Sequence, residues 1–278
     1  MPPAPEATPR RRAASSPALA ATAAVAAALA LAGCGSLPDS ELPPAATPAA
    51  SPPATAAPAG RVVSGGGAAV SGRLESSGAR AMAVGRTFEV FERENAVRVT
   101  EQDGGDVREV GRLRTRLQPA AVATLDDRHV AVLSVRSRVL ELFDARTLER
   151  TAHANAGTGP AKLASDGGNY LYVTDTTAGA LLIFRFAGGE LRLDRRYRLD
   201  GSPYAIDFDS VQRRLWITLT ATNELVELSA GRRPRELRRF PSVRQPNAVA
   251  VAASGRVVVG GAQGVAQLLD PPPLPADA

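Results

Sequence analysis

The chain has 278 residues, and its 33 basic and 28 acidic side chains give a formal net charge of +5. A single cysteine and two histidines exclude a disulfide framework and a thiolate zinc site. One lysine stands against a large excess of arginine, a bias typical of alanine-rich proteins from GC-rich genomes. The positive charge is therefore weak evidence for nucleic-acid binding.

The N-terminus has the organisation of a secretion signal. Arg10–Arg12 precede an apolar stretch, residues 17–32, which has the length of a signal-peptide core and is short for a membrane-spanning helix. The stretch ends in Leu31-Ala32-Gly33-Cys34, which resembles the lipobox of bacterial lipoproteins. The resemblance implies cleavage before Cys34 and attachment of acyl chains, such as palmitate, to that residue.

Residues 1–33 are therefore expected to be a lipoprotein signal peptide, and Cys34 to anchor the mature chain to the extracytoplasmic face of the cell membrane. The alternative is an ordinary secretory signal followed by a chance cysteine. Residues 34–60 are rich in proline and alanine, and only Asp39 and Glu41 are charged. This composition predicts a disordered tether that holds a folded domain away from the lipid.

Two features recur along the rest of the chain. A proline before an apolar strand recurs at intervals of 41, 43 and 43 residues, at Pro119, Pro160, Pro203 and Pro246. A turn between two apolar strands recurs at intervals of 42, 42, 44 and 41 residues, at Asn95, Ser137, Gly179, Asn223 and Gly264. A period of 40–45 residues is typical of four-stranded propeller blades.

One strand sequence carries a family resemblance. Residues 171–175, Leu-Tyr-Val-Thr-Asp, resemble the YVTN repeats of YncE-like bacterial β-propellers, and residues 215–218 and 257–260 are looser copies. The resemblance covers about residues 79–270 and implies an all-β propeller. Together with the period, it predicts about five four-stranded blades within residues 61–270, followed by a proline-rich tail, residues 271–278.

The last predicted blade has room for only three strands before the tail. A ring of blades leaves no unpaired strand edge when the two ends of the domain contribute to one sheet. We therefore expect residues 61–63 and 70–74 to supply the missing outer strand.

Candidate binding residues follow the recurring prolines. Ligands of propellers usually lie over the central channel, at the start of the inner strands. Lys162, Tyr204 and Asn247 occupy such positions, whereas alanine fills most of the others. We expect these three side chains to converge on one mouth of the channel. The alternative is that they fill space or satisfy backbone groups near the axis.

Arginines cluster before three of the prolines, in the predicted outer strands. The cluster before Pro246 consists of Arg232, Arg233, Arg235, Arg238 and Arg239. Charged outer strands prevent edge-to-edge pairing; alternatively, they form a basic rim that attracts anionic wall polymers. A YncE-like protein also implies single-stranded DNA as a ligand, but few aromatic side chains are left here for base stacking, which argues against nucleic acid.

Enzyme functions have weaker support. Gluconolactonase-like propellers hold a metal with carboxylates and an amide, and the inner strands offer only Asp207 and Asn247. Streptogramin-lyase-like propellers use a histidine, but His129 and His153 are predicted on the surface. The sequence therefore assigns no catalytic residue, cofactor or metal.

The expected function is a lipid-anchored, non-catalytic binding or scaffold module of the cell envelope. Its expected partner is another envelope protein or an anionic wall polymer. A lactonase-like or lyase-like propeller enzyme is the alternative, and a binder of anionic polymers that include single-stranded DNA is a second one.

Overall fold

The structure is a computed structural model that describes residues 42–64, 74 and 78–274. The predicted signal peptide, Cys34 and residues 70–73 of the predicted closing segment lie outside the described residues. Within them, twenty strands form five antiparallel four-stranded sheets arranged as a β-propeller, which confirms the predicted fold class and blade number. No helix in this part of the chain has the length and apolarity needed to cross a membrane.

Each blade runs outward from the channel through an inner, a second, a third and an outer strand. Blade 1 contains β2 (Arg80–Ala83), β3 (Arg86–Phe91), β4 (Ala96–Asp103) and β5 (Asp106–Arg114). Blade 2 contains β6 (Pro119–Thr124), β7 (His129–Ser134), β8 (Val139–Asp144) and β9 (Arg150–Asn155). Blade 3 contains β10 (Pro160–Ser165), β11 (Tyr170–Asp175), β12 (Ala180–Ala187) and β13 (Glu190–Arg198).

The last two blades follow the same order. Blade 4 contains β14 (Pro203–Asp209), β15 (Arg214–Leu219), β16 (Glu224–Ser229) and β17 (Glu236–Pro241). Blade 5 contains β18 (Ala248–Val251), β19 (Val257–Gly260), β20 (Val265–Leu269) and, as its outer strand, β1 (Arg61–Ser64). Short 3-10 helices span Glu92–Glu94 and Ala262–Gly264.

Burial explains the sequence pattern of the blades. The second and third strands are buried on both faces because each sheet packs between two neighbours, so strands such as β7 and β12 are nearly continuous apolar runs. Outer strands such as β13 are largely exposed and carry the arginines. In the described part of the chain, four apolar clusters fill the interfaces from blades 1 and 2 to blades 4 and 5.

The predicted turns are present in all five blades. Each turn between the second and third strands contains a residue with a left-handed φ, between +48° and +70°: Asn95, Arg138, Gly179, Asn223 and Gly264. The residues before three of the recurring prolines are also left-handed, with φ between +55° and +60°: Gln118, Ser202 and Gln245. The repeat is therefore a repeat of backbone conformation as well as of residue type.

The closing strand comes from the N-terminal side of the domain, as predicted for residues 61–63, whereas Leu74, expected in the same strand, is not part of this sheet. Strand β1 pairs antiparallel with β20, with Arg61 opposite Leu268 and Ser64 opposite Val265. Gly60 enters this strand with a φ of +76°, and a Cβ there would lie 2.3 Å from the Leu268 carbonyl oxygen. Only glycine allows so close an approach between the two backbones.

A buried glutamine joins this closing sheet to blade 4. The Gln267 side chain, on β20, is fully buried and makes four hydrogen bonds. Its Oε1 accepts from the Ser242 hydroxyl at 2.8 Å and from the Val243 N–H at 3.2 Å. Its Nε2 donates to the carbonyl oxygens of Ala59 at 2.7 Å and Pro241 at 3.1 Å. The amide thus satisfies polar groups from both ends of the domain.

Residues 42–60, which we call the strap, lie on the ring, whereas the sequence predicts a free tether there. Ser51 is only 7% exposed, and Ala45 packs against the core of blades 2 and 3. The Ala59 N–H donates to the Pro241 carbonyl oxygen at 3.0 Å. Composition correctly indicates that the strap has no core of its own, but it does not reveal that the ring supplies partners for its backbone.

We predict that Gln267→Leu lowers the free energy of unfolding by about 3 kcal/mol, because it leaves several buried polar groups without partners. Urea unfolding of the full chain in detergent measures the change. The exposed Gln212 provides the control, since Gln212→Leu should alter stability by no more than about 0.5 kcal/mol. Equal effects of the two substitutions would contradict the role given to Gln267.

Candidate functional site

The candidate site lies where the inner strands begin. Because the strands of a blade are antiparallel, the loop before the inner strand and the turn between the second and third strands lie at the same edge of the sheet. We call this side of the ring the entrance face. Hydrogen bonds join the two kinds of loop there: Asn95 Oδ1 accepts from the Gln118 N–H at 2.7 Å, and Asn223 Oδ1 accepts from the Gln245 N–H at 3.0 Å.

In blade 3 a buried carboxylate has the corresponding role. Asp175 ends the strand that resembles the YVTN repeat, and its oxygens accept from the backbone N–H groups of Thr158, Gly159 and Ala178 at 2.9–3.0 Å. The carboxylate is fully buried, and these backbone donors compensate for its removal from water. This contact fixes the loop that leads to Pro160 and Lys162.

A cavity of about 240 Å³ lies among the inner strands of several blades. Its lining is apolar except at two side chains, those of Lys162 and Asn247. The complete lining is Leu74, Gly78, Ala79, Lys162, Leu163, Ala205, Ile206, Asn247, Ala248 and Val249. A small cavity with few polar groups is the usual form of a small-ligand site.

Lys162 is the only lysine of the chain. Its backbone N–H donates to Thr174 Oγ1 at 3.1 Å, which holds the start of β10 in place. Burial lowers the pKa of its ammonium group, and the charge of Glu92 opposes this shift. Among the described residues, no carboxylate forms an ion pair with Lys162.

Tyr204 does not line this cavity; it packs against the apolar cluster between blades 4 and 5. Burial raises the pKa of the Tyr204 hydroxyl, and the Glu92 carboxylate raises it further. Glu92 lies on the 3-10 helix of blade 1, and its Oε1 accepts from Gln118 Nε2 at 2.5 Å. One carboxylate from blade 1 is thus close enough to influence both Lys162 in blade 3 and Tyr204 in blade 4.

The structure therefore brings Lys162 and Asn247 to one cavity but does not bring Tyr204 there, so the prediction that all three converge is only partly correct. Asn247 is exposed, and its side-chain amide makes no hydrogen bond with any described residue. Sequence reasoning missed Glu92, which lies three residues before the turn residue Asn95. The equivalent residues of the next three blades, Ser134, Thr176 and Thr220, are buried, so the recurring turns would not have marked Glu92.

The residues considered for enzymatic chemistry have other contacts. Asp207 Oδ2 accepts from the Val251 N–H of the next blade at 2.7 Å, and its Oδ1 accepts from the Phe208 N–H at 2.9 Å. Residues 42–64, 74 and 78–274 contain no group of three or more His, Cys, Asp or Glu side chains able to hold a metal ion. Asp207 thus connects two inner strands.

The two histidines differ in environment. His153 is exposed on the outer strand β9, as predicted. His129 is not on the open surface: its side chain is 14% exposed, its Nδ1 lies 2.9 Å from the Asp126 carboxylate, and its ring meets Phe186 edge-on at 4.8 Å. The prediction of an exposed His129 is wrong because the ring packs beneath a residue of the neighbouring blade.

Three of the five arginines of the predicted basic rim are in ion pairs. Arg238 bonds to the buried Glu227 at 2.6 Å, and Arg239 bonds to Glu224 at 2.8 Å and to Glu236 at 2.9 Å. Arg232 bonds to Asp194 at 2.7 Å. Arg233 and Arg235 are exposed and form no ion pair with any described residue. The paired carboxylates offset most of the positive charge of this cluster.

Comparison with known proteins identifies the fold alone. No protein-family model and no curated protein matches the sequence. Three solved structures are similar: a functionally unknown protein of Desulfotomaculum acetoxidans DSM 771 (11% identity, TM-score 0.58), a proposed 6-phosphogluconolactonase of Bacteroides fragilis NCTC 9343 (12%, 0.53), and the β-propeller domain of Cps50 (Swd1) of Myceliophteria thermophila (13%, 0.53).

The matches cover 66–67% of this chain and 66%, 62% and 65% of those chains, respectively. The chain therefore spans slightly less than two thirds of the length of the structures that it resembles. All three similarities concern the propeller architecture, and a shared propeller does not imply a shared activity.

We predict that the Lys162 ammonium titrates below its ordinary pKa of 10.5 and that Glu92→Gln lowers its pKa further, because the carboxylate favours the charged amine. A chain labelled with [¹³C]lysine gives one lysine signal, whose chemical shift against pH reports the pKa directly. Glu94→Gln is the control, since Glu94 lies on the same 3-10 helix but pairs with Arg112 at 2.6 Å. A midpoint at or above 10.5 would contradict the burial of the amine.

Proposed function

We propose that this propeller is a lipid-anchored, extracytoplasmic binding module that holds an anionic group of a cell-envelope component at its channel entrance, without catalysing a reaction. The lipobox-like residues 31–34 support the anchor and the location. The YVTN-like strand supports kinship with YncE-like propellers. The side chains of Lys162 and Asn247 line the cavity and make no hydrogen bond with any described residue, which supports the binding site.

The observation that carries this proposal is the state of Lys162. An ammonium group that is partly removed from water is costly unless an anion or several hydrogen-bond acceptors compensate for it. Glu92 lowers this cost from a distance, but it makes no ion pair with the amine. A carboxylate or phosphate in the cavity would neutralise Lys162, and the Asn247 amide would donate a further hydrogen bond to it.

The channel entrance fits an anion better than the basic rim does. At the rim, Arg232, Arg238 and Arg239 already have carboxylate partners, so an incoming anion would have to compete with them. Lys162 has no such partner among the described residues, and burial already lowers the pKa of its ammonium group. The rim arginines act mainly as charged outer strands that discourage edge pairing.

The alternative is a lactonase-like enzyme. The similarity to a proposed 6-phosphogluconolactonase supports it only at the level of the fold, because the identity is 12%. Asp207, the carboxylate that the sequence offers for a metal, accepts backbone N–H groups instead. The binding function therefore has the stronger support.

For the anchor, we predict that Cys34→Ser moves the protein from the membrane fraction to the soluble fraction, since serine is not an acceptor for lipoprotein acylation. Cell fractionation followed by immunoblotting measures the distribution, and Ser36→Ala serves as the control. Unchanged membrane partitioning of the Cys34→Ser chain would overturn the lipobox assignment.

For the binding site, we predict that glycerol 3-phosphate or galacturonate raises the melting temperature of the full chain in detergent. A ligand at 100 times its Kd stabilises by about 2.7 kcal/mol, which corresponds to roughly 5–10 °C for a domain of this size. Lys162→Met should abolish the shift, whereas Arg235→Gln at the exposed rim should retain it.

Three further outcomes of the same screen count against the proposal. A shift with calcium or gluconolactone that persists in Lys162→Met would favour the enzyme. A shift with oligothymidylate that depends on Tyr204 would favour single-stranded DNA. Loss of the phosphate or carboxylate response in Arg235→Gln instead of Lys162→Met would locate the anion at the rim.

A further inference from the structure

The strap makes a dense set of hydrogen bonds with the entrance face over only four residues. The Ala49 N–H donates to Thr220 Oγ1 at 3.1 Å, and the Ala49 carbonyl oxygen accepts from Gln245 Nε2 at 2.7 Å. The Ser51 N–H donates to Gln245 Oε1 at 2.9 Å. The Pro52 carbonyl oxygen accepts from Asn223 Nδ2 at 2.9 Å. Three side chains of the ring thus bind backbone groups of the strap.

These hydrogen bonds are arranged as in the recognition of an extended peptide. One amide, that of Gln245, binds the carbonyl group of residue 49 and the N–H of residue 51. Groups two residues apart lie on the same edge of an extended chain, so a single planar amide can bind both of them. No N–H is needed at residue 52, where the strap has proline. These side-chain contacts recognise an extended backbone, and none of them needs an N–H at the position of the proline.

One side chain of the strap is also recognised. The Ser51 hydroxyl donates to the Thr220 carbonyl oxygen and accepts from the Gln245 N–H at 3.1 Å. Ser51 is buried, whereas its neighbours Pro52 and Pro53 are exposed. The preferred ligand is therefore a small-residue, proline-containing segment with one serine at the central position.

The ring itself holds two of the three binding side chains in position. The Thr220 hydroxyl donates to the Ser202 carbonyl oxygen at 3.2 Å, which leaves a lone pair for the strap. Asn223 Oδ1 accepts from the Gln245 N–H at 3.0 Å, which leaves the Asn223 Nδ2 free to donate outward. Contacts within the ring thus position Thr220 and Asn223, whereas the side-chain amide of Gln245 bonds only to the strap.

The strap can leave this site without opening the ring. Residues 53–58 make no hydrogen bond with any described residue, and residues 53–57 are exposed. The next attachment is at Ala59, beside the closing strand β1. Residues 53–58 can therefore act as a hinge, and release of residues 49–52 would leave the β1–β20 pairing intact.

We propose that Thr220, Asn223 and Gln245 form a docking site for extended alanine- and proline-rich peptides, that residues 49–52 occupy it in cis, and that a similar segment of a partner envelope protein can replace them. Being tethered, the strap has a high effective concentration at the site, so replacement needs either a high local concentration of the partner segment or a weakened strap. This site is separate from Lys162, and the proposal does not depend on the ligand bound there.

The test uses a fluorescent peptide with the sequence of residues 45–56 and the full chain in detergent. Ser51→Pro in the protein removes one N–H and the hydroxyl and so weakens the strap. We expect this variant to bind the peptide at least tenfold more tightly than the unmodified chain, measured by fluorescence anisotropy. Adding Gln245→Ala should abolish the gain, whereas adding Gln212→Ala at an exposed position should not.

A second measurement uses the unmodified protein. Excess unlabelled peptide at about 10 mM, above the millimolar effective concentration of a short tether, should accelerate hydrogen exchange at the Ala49 and Ser51 amides at least threefold. The amides of β15 should be unaffected, and a peptide with proline in place of the serine should have no effect. Equal peptide binding by the Ser51→Pro and unmodified chains, or binding insensitive to Gln245→Ala, would overturn the proposal, as would unchanged exchange.

Discussion

The pairing of β1 with β20 is the contact on which the rest of the domain depends. It joins a strand from the beginning of the domain to three from its end, and it removes the unpaired edge that blade 5 would otherwise expose. Gln267 adds four buried hydrogen bonds at the same place and extends the connection to blade 4. The strap joins the ring beside this closed sheet, at Ala59.

The distribution of charge follows from the same architecture. Outer strands face water, so they carry arginines, and nearby carboxylates pair with many of them, as Glu227 does with Arg238. Lys162 instead lies near the centre of the ring, in the cavity among the inner strands. Glu92 modulates its charge without pairing with it. The only lysine of this arginine-rich chain thus lies at the channel and not on the rim.

The strap shows how a segment with no core can still be ordered by the ring. Proline and alanine cannot bury enough apolar surface to fold, and this part of the prediction is physically sound. What holds residues 49–52 is instead a set of backbone hydrogen bonds from Thr220, Asn223 and Gln245. These partners lie about 170–200 positions away in the sequence, so no local pattern near the strap could indicate them.

The sequence by itself determined the features that repeat or that a general constraint requires. The spacing of prolines and turns predicted five four-stranded blades. The need to cover a sheet edge predicted that residues 61–63 belong to the closing strand. The positions after the recurring prolines also identified Lys162 and Asn247 as residues at the channel. Only the tertiary structure decided the remaining interactions: the influence of Glu92 on the pKa of Lys162, the pairing of the rim arginines, the packing of His129 and the docking of the strap. Each of these joins side chains from different strands or blades, and their spacing in the sequence has no period that could predict them.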